Sequence, residues 1–312
     1  MYIYSNVLGI FVFDAKLKVI DKLLFDTLEK YRNKEKYLAE IKNKHKNTRI
    51  PNEKELLQVL LHFKDRQFFD DFHIKNLELT KFDLKNSVNA DTLVIQAMNS
   101  VDDIDKITNV LAKRLREWYE LYNPEFSMAI KNNEKFVEDI AEKEKKELLA
   151  QIKVDDSFGA ELSQEDLEPI RGLAQQVFDL FQLRKSLIAY MSESMDGFCP
   201  NLKAVCGTIL GAKLLEHAGS LKRLSRMPSS TIQILGAEQA LFRHLKTGSK
   251  PPRHGIIIGH ELIAHAPDNM HGKIARALSD KISIAVKIDY FNGQFIGDKL
   301  RKELDEKFGK ND

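Results

Sequence analysis

With 312 residues, 43% hydrophobic and 30% charged, the chain has the composition of a folded, charge-rich protein rather than a disordered or fibrous one. That length suits two or three compact units rather than one core. No apolar run reaches the roughly 18 residues needed to cross a bilayer, and the opening MYIYSNVLGIFVFD has no basic flank, so it reads as strand and not as a signal peptide.

The formal net charge of +2 hides a segregation. Residues 1–100 carry +3, residues 101–195 carry −7 and residues 196–312 carry +6. Seven Lys or Arg residues lie between Lys222 and Arg253 against the single acid Glu238, a one-sidedness that points to polyanion binding near the C-terminal end.

In chain order, Tyr2 to Phe13 and Leu77 to Leu84 alternate in the manner of strands, and Glu53 to Phe63 has the 3.6 period of a helix opening after Pro51 and Asn52. An α/β unit is expected here. The Lys-rich stretch from Lys30 to Arg49 reads as a solvated loop or helix face rather than a nucleic-acid patch. From Ile104 an apolar stripe steps by three and four through Ile107, Leu111, Leu115, Trp118 and Tyr122 until Pro124. A charged helical segment follows Asn133, and a turn interrupts it at Asp155 to Gly159.

Beyond Ser163, Leu167, Ile170, Ala174, Val177, Phe181, Arg184, Ile188 and Met191 recur at coiled-coil spacing. Pro169 should sit in the first turn of this helix, which places its start near Asp166 or Leu167. Leu173, Leu180 and Leu187 add a second seam, so these helices are expected to pack on each other and on a second chain. Val177, Phe181, Arg184 and Ile188 are the candidate dimer contacts, and the alternative is a bundle within one chain. The remainder reads as helical, with stripes at Leu202 to Leu215, Thr231 to Leu245 and His271 to Ile282, a stiff basic loop GSKPPRHG at Gly248 to Gly255, and Ile282 to Ile288 as its one candidate strand.

The familiar constellations of catalysis fail on spacing. His260 and His265 are five apart, about 140° around a helix rather than on one face as a zinc-protease pair requires. Gly207 to Lys213 lacks the GxxxxGK[ST] spacing of a phosphate loop. Cys199 and Cys206, two turns apart, read as buried thiols and not as a disulfide or a zinc site. No catalytic residue and no metal site is therefore expected. The basic segment combines cations for phosphates with planar side chains, Phe242, His244 and His254, that could stack on splayed bases, the mode by which loops and bulges of RNA are read.

Four stretches then resemble a known family. LGAEQALFRHL at Leu235 to Leu245, PRHGIIIGH at Pro252 to His260, CPNLKAVCGTILGAKLLEHAGSLKRLSRMPSSTIQ at Cys199 to Gln233 and LVIQAMNSVDDIDKITNVLAKRLREWYELYNPE at Leu93 to Glu125 are similar to the archaeal Nop subunits of box C/D ribonucleoproteins. The resemblance implies a mainly α protein with an N-terminal α/β domain (1–100) that docks fibrillarin, a long antiparallel helical coiled coil (101–195) that pairs two copies, and an all-helical C-terminal Nop domain (196–312). That last domain would bind kink-turn guide RNA together with a ribosomal-protein-like kink-turn binder.

The implied role is a non-catalytic scaffold for ribose 2′-O-methylation without a cofactor of its own, S-adenosylmethionine residing on fibrillarin. The implied compartment is cytoplasmic for an archaeal member and nucleolar for a eukaryotic one, with no membrane contact. Carried onto this sequence, the resemblance makes Gln239 and Arg243 contacts to the RNA and its bound protein, sets His254 against a base, and assigns phosphates to Lys246, Lys250 and Arg253, with Arg223 and Arg226 beside them. Position 239 is commonly Lys in this motif and is Gln here. The alternative is a spliceosomal-type relative that binds RNA and recruits no methyltransferase.

Overall fold

A computed structural model describes residues 1–309, without the side chains of residues 66 and 67, and divides into two compact units, residues 1–88 and residues 89 onward. The first unit is built on an antiparallel meander of β1 (Tyr2–Ser5), β2 (Gly9–Phe13) and β3 (Val19–Leu24). Asn6 closes the first turn by accepting from the Leu8 and Gly9 amides at 2.9 and 3.3 Å. Gly9 is required there, because a Cβ would stand 2.1 Å from the Leu23 carbonyl.

Strand β2 is buried on both faces. Ile10 and Val12 pack with Ile3, Phe25 and Ile41, while Phe11 and Phe13 pack with Leu8, Val59 and Phe63. The covering helices are α1 (Leu28–Arg32), α2 (Lys34–Lys44) and α3 (Glu53–His62). Helix α3 opens where the sequence announces it, through a capping box in which Glu55 N donates to Asn52 Oδ1 and Asn52 N to Glu55 Oε2, at 3.0 and 2.9 Å.

The stretch Leu77 to Leu84 is not a strand but the second half of α4 (Arg66–Ser87). Twenty-two residues without Gly or Pro, with the helix formers Leu77, Leu79, Leu84, Lys75, Lys81 and Lys85 among them, favour helix, and an alternation over eight residues is too short to override that preference. The side chains of Asn76, Thr80 and Asn86 each donate to the carbonyl four residues back, at 2.8 Å.

The second unit starts with α5 (Ala90–Tyr119), twelve residues or so before the expected boundary, because Val94, Ala97, Met98 and Val101 belong to its core. Short helices α6 (Pro124–Ala129), α7 (Asn133–Glu142) and α8 (Lys145–Gln151) lead to α9 (Gln164–Phe198), which returns antiparallel to α5. Helix α9 begins two to three residues earlier than expected, because Ser163 caps it by accepting from Asp166 N at 3.2 Å. Pro169 therefore stands in its second turn, where the carbonyl left without a donor belongs to exposed Glu165 and can turn to water.

The seam of α9 is closed within the chain. Val177 is fully buried and Phe181 is 8% exposed, both in a core with Ala112, Leu115 and Phe136. Arg184 pairs with Asp105 of α5 at 2.5 Å, and Ile188 packs against the core of the C-terminal helices. Val177 and Phe181 are thus closed inside one chain and are not free for a second, whereas Arg184 and Ile188 remain partly exposed.

The C-terminal helices are α10 (Pro200–Cys206), α11 (Thr208–Ala218), α12 (Leu221–Arg226), α13 (Ser229–Ile234), α14 (Glu238–Thr247), α15 (Glu261–Ala264), α16 (His271–Tyr290) and α17 (Gly297–Phe308). Their core is continuous with Val94, Met98, Met191 and Met195 at the base of α5 and α9, so this end of the helical arm packs directly into it. Ile282 to Ile288, a candidate strand, lies inside α16. Ile282, Ala285, Val286 and Asp289 are buried there at spacings of three and four while Ile284 faces solvent, a helical and not an alternating pattern.

Candidate nucleic-acid interface

The surface begins at α12, where Ser220 caps the helix by accepting from Arg223 N at 3.1 Å and both Arg223 and Arg226 are exposed. Leu221 and Leu224 anchor the same helix in the core. After α13, Gly236 turns the chain at φ 82°, and its amide donates to Glu238 Oε1 at 2.7 Å. The one acid of the basic segment is thereby engaged with main chain, and that hydrogen bond lowers its pKa.

Helix α14 has no buried residue. Gln239, Arg243 and Lys246, spaced by four and three, share one exposed face. Phe242 and Leu245 stand beside them, 66% and 70% exposed. Among the described residues, none of Arg223, Arg226, Arg243, Lys246 and Lys250 has a carboxylate within 4.0 Å, so these cations are available to an external anion.

The loop after α14 is tied down at both ends. His244 Nδ1 meets the Ser249 carbonyl, while Gln233 Nε2 donates to the Arg253 carbonyl and Gly255 N to the Gln233 carbonyl, both at 2.8 Å. Gly255 approaches α13 so closely that a Cβ would lie 1.9 Å from the Leu235 carbonyl. Loop, α13 and α14 therefore form one ordered surface; among the described residues no side-chain bond joins Arg223 or Arg226 to it.

Arg253 and His254 differ from the other assigned residues in being engaged already. Arg253 Nη1 donates to Asp268 Oδ2 at 3.1 Å and to the Asp268 carbonyl at 3.3 Å. His254 is half-buried, its ring edge-on to His271 with centroids 5.8 Å apart. Burial depresses its pKa, and the neighbouring His271 and Arg253 push the same way. The neutral ring is the form suited to lie against a base.

His260 is a core residue. Its Nδ1 accepts from Leu262 N at 3.2 Å, and its Nε2 lies 3.1 Å from the Val205 carbonyl and 3.2 Å from Arg301 Nη1. Among the described residues no cluster of His, Cys, Asp or Glu is placed to hold a metal ion. Cys199 and Cys206 are free and buried, with burial raising both thiol pKa values.

The sequence reading missed the polar knot that holds this domain. Asp289 of α16 is buried and accepts from Asn201 N, Asn201 Nδ2 and Leu202 N at 3.1, 2.7 and 2.8 Å, capping α10, while Asn201 Oδ1 accepts from Ile296 N at 2.7 Å. Burial raises the Asp289 pKa. The available signal was an acid on the apolar stripe of a helix, a position that demands partners.

Comparison with known sequences decides the family: the Nop profile, described as snoRNA binding domain, fibrillarin, matches residues 100–310. The chain belongs to the Nop family. An uncharacterised NOP5 family protein of Methanocaldococcus jannaschii is 38% identical over 258 residues, 77% of this chain and 62% of that one. Nucleolar protein 58 of Neosartorya fischeri is 41% identical over 215 residues, 64% of this chain and 36% of its own length. The chain therefore spans less than two thirds of the length of these relatives. The crystal structure of a fibrillarin/Nop5p complex contains a chain matched at 22% identity with a TM-score of 0.46, covering 98% of each.

Proposed function

We propose that this Nop-family chain is a non-catalytic scaffold of a box C/D particle that methylates ribose 2′-hydroxyls under RNA guidance. The observation that carries this reading is the surface of α14 and its following loop, where unpaired cations alternate with exposed Phe242 and Leu245. A purely electrostatic nucleic-acid site needs no apolar side chains, and a purely protein-binding face has no use for a cation row. A composite of RNA and a small protein already bound to it uses both. Kink-turn RNA carrying a ribosomal-protein-like binder is such a target, with Gln239, Arg243, Lys246 and Lys250 on the composite and His254 beside a base.

The residue 1–88 unit is proposed to dock fibrillarin, the partner named for Nop5p, which would bring S-adenosylmethionine and all of the chemistry. Pairing of two copies is proposed through the outer stripe of α5, where Ile107, Val110 and Trp118 share one side of the helix and remain exposed, Val110 to 69%, with exposed Leu121 just past its end.

Reconstitution tests the whole. Mixed with kink-turn RNA, its binder and fibrillarin, the chain is expected to form one particle that methylates a guided target, and the chain alone to methylate nothing. Arg243→Ala is expected to lose the RNA-dependent step and keep fibrillarin binding. Methylation by the isolated chain, or assembly indifferent to RNA, would overturn the proposal.

A further inference from the structure

Asp268 lies outside the basic segment in sequence, yet the turn between α15 and α16 brings its carboxylate onto the same surface. It pairs with one residue of the site and lies close to the ring behind another. Oδ2 accepts from Arg253 at 3.1 Å, and Oδ1 stands 3.5 Å from Nδ1 of His271, the ring that backs His254. His271 is held in turn by the Ala266 carbonyl, 2.9 Å from its Nε2. The carboxylate itself is 83% exposed, so burial gives no reason for the pair. An exposed anion beside phosphate-binding cations weakens attraction for every polyanion alike, unless it does so selectively.

We propose that Asp268 is a specificity-determining residue that withholds Arg253 from RNA in general and yields it only to the folded target; this rests on the RNA-binding reading above. A surface ion pair is weak, so a phosphate held against Arg253 by other contacts displaces the carboxylate readily. A phosphate arriving on an untethered duplex has no such support and leaves the pair intact. In the wild-type chain Arg253 therefore counts as a phosphate contact on the folded target and not on bare duplex.

The salt dependence of binding reads this directly, because each added phosphate contact steepens the log–log slope by roughly 0.7 to 0.9. Wild type, Asp268→Asn, Arg253→Ala and the double variant are titrated in the full chain, against kink-turn RNA carrying its protein binder and against a duplex of equal length. Asp268→Asn is expected to steepen the slope on duplex by one contact, tightening it roughly five- to eight-fold at 0.1 M salt, and to leave the slope on the loaded kink-turn unchanged. Adding Arg253→Ala should abolish that gain, and Arg253→Ala alone should cost one contact on the loaded kink-turn only. An unchanged slope on duplex, or equal steepening on both RNAs, overturns the inference. The wild-type preference for the loaded kink-turn, measured in the same series, reports separately on the RNA-binding proposal.

Discussion

Phe181 on α9 and Phe242 on α14 occupy similar places, each on the apolar stripe of an amphipathic helix, yet the first is 8% exposed and the second 66%. The difference lies in what surrounds them. Helix α9 has α5 and α7 of its own chain to cover its stripe, whereas α14 has no buried residue and turns both its cations and its large apolar side chains outward. An apolar stripe thus predicts burial against something, and only the fold says whether that something lies in the same molecule. The arm is a stability element, and α14 is the proposed interaction element.

The comparison breaks most visibly at Phe136, which stacks on Phe126 in the arm core and carries the Arg116 guanidinium 4.1 Å above its ring. Phe136→Ala should cost about 3–5 kcal/mol in denaturant unfolding, by cavity formation and loss of that contact. Asp289→Ala comes next. It strips the acceptor from three donors, and a loss of roughly 3 kcal/mol is expected by thermal or chemical denaturation, since each buried donor left unmet costs roughly 1–3 kcal/mol.

A smaller effect follows from His254 and His260, whose pKa values burial holds below the ordinary 6.5. The folded state then binds fewer protons than the unfolded chain just below pH 6.5. Their contribution is complete above that value and is lost as pH falls through it toward the depressed values, so the melting temperature should decline on acidification, less steeply in His260→Gln. The smallest change in stability is expected for Phe242→Ala, within about 0.5 kcal/mol of wild type. RNA-dependent assembly should nevertheless suffer. A Phe242→Ala chain as unstable as Phe136→Ala would erase the distinction between the two helices.

Much of this organisation was legible in the amino acids, and the failures have physical causes. Capping of α3 at Asn52 and the long apolar period of α9 are local signals, and each found its counterpart in the structure. Leu77 to Leu84 and Ile282 to Ile288 misled because a short apolar alternation, irregular in the first and strict in the second, fits the helical period as well. Val177 and Phe181 misled in the opposite sense: their spacing was read correctly, but spacing does not say which chain supplies the partner helix. Asp268 and His271 were invisible as parts of the site because they reach it through the turn after α15, across a separation that no periodicity encodes.

The claim that the α14 surface grips a folded ribonucleoprotein target is tested most directly by equilibrium binding of the chain, over a range of salt, to protein-loaded kink-turn RNA and to duplex RNA. Tighter binding to the loaded kink-turn, with a slope that falls by roughly 0.7 to 0.9 in Arg243→Ala, is the predicted result. Equal affinity for both RNAs, or affinity indifferent to salt and to Arg243, would contradict it.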